Sequence, residues 1–184
     1  MNTPDQHDRR QFLRYSAFCV AFAAFPGLTR AMDMASLKPS PGFNQDVEFE
    51  LVAEARQVSI LSQGPATWTQ SLSATLLKGP KNAVTALPNN YLGPILNFQQ
   101  GQKVRAIFKN RLKEASIVHW HGLHVPQASD GHPMYTIQSG DQYVYEFEVV
   151  NRAGTSFYHS HAHELTAEQV YRGLAGLIIV NDAD

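Results

Sequence analysis

The chain has 184 residues, 43% hydrophobic and 17% charged, with a formal net charge of −1. That length allows one ordinary domain plus an additional segment. The composition excludes a disordered chain, and the near-neutral balance, with no basic stripe, excludes an electrostatic nucleic-acid binder.

The N-terminal stretch reads as an address rather than as structure. Arg9-Arg10-Gln11-Phe12-Leu13-Arg14 precedes an apolar run from Tyr15 to Leu28, and Thr29-Arg30-Ala31 offers a cleavage site. The run is too short to span a bilayer, so no stable membrane insertion is expected. A charged start, a short apolar stretch and a small-residue site describe an export signal. The paired arginines followed by Phe-Leu resemble a bacterial twin-arginine signal, with an ordinary secretory signal as the alternative. Residues 1–31 are therefore read as a signal peptide directing the chain to the periplasm or otherwise out of a bacterial cytoplasm. The single cysteine, Cys19, leaves with it. The mature chain then offers neither a disulfide nor a thiolate ligand.

Residues 32–46 are rich in Pro, Ser and Asn and read as a linker or extended lead-in. Residues 47–184 read as one β-domain. Val47, Phe49, Leu51 and Ala53 alternate with more polar neighbours, as a half-buried strand requires. Residues 64–93 are mixed and broken by Pro80, Pro88-Asn89-Asn90 and Gly93-Pro94. Val104, Ala106 and Phe108 alternate with Lys103, Arg105 and Lys109, with Ile107 interrupting the polar face. Ser116–Val125 is β-branched and aromatic. Tyr143, Tyr145, Phe147 and Val149 face one way. Glu164–Tyr171 is the one helix-like stretch, and Leu174–Val180 reads as a strand buried on both faces. Several short strands separated by turn signals predict an all-β sandwich or barrel.

Seven of the eight histidines lie between His119 and His163. Two pairs stand out, His119-Trp120-His121 and His159-Ser160-His161. On a strand, residues i and i+2 project from the same face. Each pair therefore points together, and two such strands side by side would gather four imidazoles. Such a cluster repels itself when protonated, and a bound cation relieves that. All-imidazole ligation without thiolate disfavours a structural zinc finger; in an oxidising, exported setting it favours copper or zinc.

His119-Trp120-His121-Gly122-Leu123 and Tyr158-His159-Ser160-His161 resemble the two N-terminal copper motifs of the multicopper oxidases, the laccase-like family. Gly93-Pro94 through Val104 and Asn110 resembles the segment before the first motif. Asp130-Gly131 and Ser139-Gly140-Asp141-Gln142-Tyr143 resemble the stretch between motifs. Gly173 to Val180 resembles the strand that closes the first domain in bacterial copper-efflux-type oxidases. The resemblance implies a cupredoxin fold, a Greek-key β-sandwich. It implies that His119 is a ligand of the type 2 copper, and that His121, His159 and His161 are ligands of the type 3 pair. Those coppers form the cluster that reduces oxygen to water. Asp130 matches an acidic residue that helps deliver protons, a task suited to a carboxylate. His163 has ligand parity, but the family does not use that position, so a supporting or loop role is expected. His124 and His132 are expected at the surface, and Trp120 in the core.

The resemblance also implies what these residues do not supply. In the family, four further histidines and the cysteine-containing type 1 copper site come from a C-terminal cupredoxin domain. The chain is expected to carry half of the cluster's ligands and to be inactive alone toward phenols or metal ions. Molecular oxygen and a reducing substrate become partners once the missing domains complete it. The exposed cluster face is expected to favour homo- or hetero-association. The competing reading is a free-standing exported copper-binding or storage module without redox turnover. A purely structural cupredoxin would have no need of the four histidines.

Overall fold

Alternating burial defines the first long strand. In the computed structural model, which describes residues 38–182, β1 (Val47–Val58) fully buries Val47, Phe49, Leu51 and Ala53, every second side chain. The predicted signal peptide, residues 1–31, lies outside the described residues. β1 pairs antiparallel with β2 (Thr67–Lys78) and parallel with β5 (Lys103–Asn110). β5 in turn pairs antiparallel with β7 (Gln142–Glu148). This four-stranded sheet runs β2-β1-β5-β7.

The second sheet contains β3 (Val84–Thr85), β4 (Ile95–Gln99), β6 (Val118–His121), β8 (Gly154–Ser160) and β9 (Ala175–Asn181). Its order is β3-β4-β9-β8-β6. The two sheets pack face to face through rings: Phe49 lies 6.3 Å from Phe98, and Trp120 lies 5.1 Å from Tyr145 and 5.5 Å from Phe147. The fold is the expected all-β, cupredoxin-like Greek-key sandwich. Among the described residues the only α-helix is α1 (Thr166–Tyr171), and none is long and apolar enough to cross a membrane.

Three readings of individual segments change. The mixed stretch 64–93 contains β2, whose Thr69, Gln70 and Ser71 are buried although polar. Thr69 Oγ1 donates to the Arg56 carbonyl at 3.1 Å and lies 3.1 Å from Ser71 Oγ, so hydrogen bonds replace the apolar alternation as the basis of burial. β9 is not buried on both faces, because Leu177 is 45% exposed beside Phe157, its cross-strand partner. The helix-like stretch starts at Thr166 rather than Glu164, whose φ of 62° is incompatible with a right-handed helix.

Arg105 also departs from the polar face that alternation gave it. It is 7% exposed, and its Nε donates to Glu146 Oε1 at 2.7 Å. Its Nη2 donates to the carbonyls of Phe43 and Ser40. Residues 38–46 are thereby tied to the four-stranded sheet.

Candidate metal centre

β6 and β8 pair antiparallel, with His119 directly opposite His159 and His121 opposite Phe157. Tyrosines hold both strands from behind. Tyr145, from the opposite sheet, accepts the Val118 amide at its hydroxyl at 3.0 Å. Tyr158 donates its hydroxyl to the Pro94 carbonyl at 2.7 Å. Burial pushes both phenols well above their ordinary range, so they stay neutral. Tyr158 lies across Gly176 of β9, where a Cβ would come within 2.3 Å of its ring. A glycine inside a strand is explained here by close approach.

The imidazoles meet on the outer face. His119 lies 5.0 Å from His161, 5.4 Å from His159 and 5.6 Å from His121, centroid to centroid. One potential ligand atom from each of His119, His121 and His159 falls within a 4.8 Å group. His161, just past the end of β8, belongs to the ring cluster but not to this tighter group.

Backbone carbonyls select the nitrogen that each ring presents. His119 Nδ1 lies 2.6 Å from the Asp130 carbonyl, His159 Nδ1 2.8 Å from that of Ser160, and His161 Nδ1 3.2 Å from that of Gly131. A carbonyl only accepts, so Nδ1 carries the proton in these rings and Nε2 keeps its lone pair. His121 differs, since its Nδ1 faces His159 Nε2 at 3.3 Å. Two imidazole nitrogens bound at about 2.0–2.1 Å to one ion lie at most about 4.2 Å apart. The pair therefore fits a shared metal ion, and in its absence one nitrogen can donate to the other.

Two of those carbonyls come from adjacent residues, Asp130 and Gly131. Gly131 has φ of 72°, and a Cβ there would fall 1.9 Å from the Val118 carbonyl oxygen. Only glycine lets this loop approach β6 closely enough to hold both His119 and His161.

Electrostatics favour the ligand form of His159. Desolvation lowers its pKa from the ordinary value, the Ser160 carbonyl opposes that, and His119, His121 and His161 lower it further. The neutral ring has a lone pair for a metal. The histidines line an open cleft of about 520 Å³, whose remaining wall is Phe157 with Thr166, Ala167 and Val170 at α1. The Phe157 ring stacks on His121 at 4.2 Å.

Asp130 sits behind this cleft. Its Oδ1 is 3.2 Å from His119 Nδ1, and its side chain is 42% exposed. It lines a second cleft with His124 and Glu148. His124 and His132 are exposed, as expected, and His163 is exposed as well. His132 additionally accepts the Met134 amide at Nδ1, which caps a short 3₁₀ turn. Trp120 is fully buried, as expected. Sequence reasoning missed the wall supplied by α1 and the carbonyl role of Gly131; the Asp-Gly dipeptide was the available signal for the latter.

The geometry can be set against known proteins. A sequence profile described as multicopper oxidase matches residues 69–184. The chain belongs to the multicopper oxidase family. Multicopper oxidase mco of Staphylococcus haemolyticus is 32% identical over 161 residues, which cover 83% of this chain and 36% of that protein. The McoA multicopper oxidase of Aquifex aeolicus superposes with a TM-score of 0.60 at 35% identity, covering 76% of this chain and 28% of that one. Cell division protein FtsP of Escherichia coli is 28% identical across 95% of this chain and 34% of its own length. The chain thus spans about a third of the length of these relatives. Membership in this copper-dependent oxidoreductase family agrees with a thiolate-free, all-imidazole donor set.

Proposed function

We propose that this chain is the copper-binding first domain of a multicopper oxidase, and that it carries half of the ligands of a trinuclear cluster. The observation that carries the reading is the orientation of the rings. Three imidazoles have Nδ1 committed to backbone carbonyls, and His121 turns its Nδ1 toward His159 Nε2. In this reading His119 serves the type 2 copper, and His121, His159 and His161 serve the type 3 pair. Bound copper would supply the redox chemistry that couples oxidation of phenols or metal ions to reduction of oxygen to water.

The protein's own groups do the positioning. The Asp130 and Gly131 carbonyls fix His119 and His161, and Phe157 supports His121. The Asp130 carboxylate meets His119 on one side and the second cleft on the other, so it can collect protons from solvent and hold them near the centre. Turnover requires the further histidines and the type 1 site of additional domains, which also complete the sites for oxygen and reductant. Export follows from the twin-arginine-type segment at residues 1–31, and residues 32–46 lead into the domain at 47–184.

A second reading is favoured by the tight group formed by His119, His121 and His159. Those donors suffice to hold copper without the rest of the cluster, as in a binding or storage module. Oxygen uptake separates chemistry from storage. The copper-loaded chain is expected to show no laccase-type turnover alone and to gain it when combined with a C-terminal cupredoxin domain of the same protein. Tight copper binding with no gain on completion would favour storage, and robust turnover by the chain alone would overturn the half-cluster reading.

A further inference from the structure

The helix beside the histidine cleft carries a buried amide to which the copper reading assigns no role. Gln169 of α1 is 1% exposed. Its Oε1 accepts from Ser116 Oγ at 3.0 Å and from Ser160 Oγ, and its Nε2 donates to the Ala115 carbonyl at 2.9 Å. Its own carbonyl accepts the Leu174 amide at 3.0 Å, and Leu174 in turn accepts the Ser160 amide at 2.9 Å. The two serine hydroxyls use both lone pairs of one oxygen.

The ends of this network coincide with the ligand segments. Ser160 stands between His159 and His161, with its side chain buried on the opposite face from theirs. Ala115 and Ser116 lead into β6, which carries His119 and His121. The same helix supplies Ala167 and Val170 to the cleft wall. One amide thus joins both ligand strands to the element that bounds the site. An apolar side chain could fill the volume, but it would leave two buried hydroxyls and a carbonyl without that partner. A satisfied buried network fixes one arrangement where apolar packing tolerates several.

We propose that Gln169 is a positioning residue for the metal centre. By holding Ser116 and Ser160 on a single oxygen, it sets the spacing of the His159/His161 pair against the His119/His121 pair. This deepens the copper reading of the cleft and rests on it.

The test uses the full chain with Gln169→Leu, the closer-shaped Gln169→Met and the milder Ser160→Ala, so that a variant that fails to fold does not decide the matter. Imidazole nitrogen NMR of the metal-free protein is expected to show His159 and His161 as Nδ1–H tautomers in the wild type and as mixed tautomers in the Gln169 variants. Cu(II) affinity is expected to fall about tenfold or more in the Gln169 variants, with an altered EPR spectrum, and about threefold in Ser160→Ala. Variants that melt at lower temperature yet keep the wild-type imidazole signals and copper spectrum would reduce Gln169 to a helix anchor and overturn the proposal. Failure of the wild type itself to bind copper would instead overturn the copper reading, while the metal-free NMR still decides the role of Gln169.

Discussion

The two faces of the β6–β8 ribbon are built from alternate residues of the same short strands, and they behave as opposites. The inner face, Trp120, Tyr158 and Ser160, is fully buried. The outer face, His119, His121 and His159, is half-buried or exposed and opens onto a cleft. Core packing resides on the first and the proposed metal chemistry on the second. Period-two geometry lets one strand serve both without compromise.

The largest break in that comparison is expected from the inner face. Trp120→Ala should cost about 3–5 kcal/mol, a large part of the roughly 5–15 kcal/mol available to a typical domain. Urea unfolding measures it, and a loss below about 1 kcal/mol would show that the ring is not core. Gly131→Ala should affect both faces together. A left-handed non-glycine residue costs about 1–2 kcal/mol, the added Cβ collides with the Val118 carbonyl, and two ligand rings lose their carbonyl partners. Calorimetry and copper titration should therefore change in parallel.

The outer face should show the reverse pattern. His121→Ala and His161→Ala should leave unfolding free energy within about 0.5 kcal/mol while copper affinity falls by at least about tenfold. Leu177→Ser tests the apolar patch on the outer face of the same sheet, since Leu177 and its cross-strand partner Phe157 are both exposed. Self-association by light scattering should decrease, with little change in copper binding.

The smallest effect is on pH dependence. The pKa of His159 is lower folded than unfolded, so the unfolded chain binds the proton more tightly. The stability contributed by its neutral form is present above the unfolded value of about 6.5 and is lost as pH falls below it. Metal-free melts should show a lower transition at acidic pH, and His159→Gln should flatten that dependence.

The strands that could be read from sequence were those whose burial is apolar. β1, β5 and β7 announce themselves through Phe49, Phe108 and Tyr145 and their alternating neighbours. β2 did not, because Thr69 and Ser71 are buried through hydrogen bonds that alternation cannot register. The apolar residues of β9 suggested two covered faces, yet Leu177 lies on the outer, uncovered face of this central strand. The histidine pairs were legible for the same reason as β1, since period two puts each pair on one face. What could not be read was what holds them. The carbonyls of Asp130 and Gly131 and the amide of Gln169 act from loops and a helix brought near only by folding.

The central claim is that the outer face of this ribbon is a copper site. The most direct measurement is Cu(II) titration of the purified chain followed by EPR, alongside a variant with His119, His121, His159 and His161 all replaced by alanine. Nitrogen superhyperfine structure and saturable binding in the wild type, both abolished in the folded quadruple variant, are the predicted result. Equal copper binding and an unchanged spectrum in that variant would contradict it.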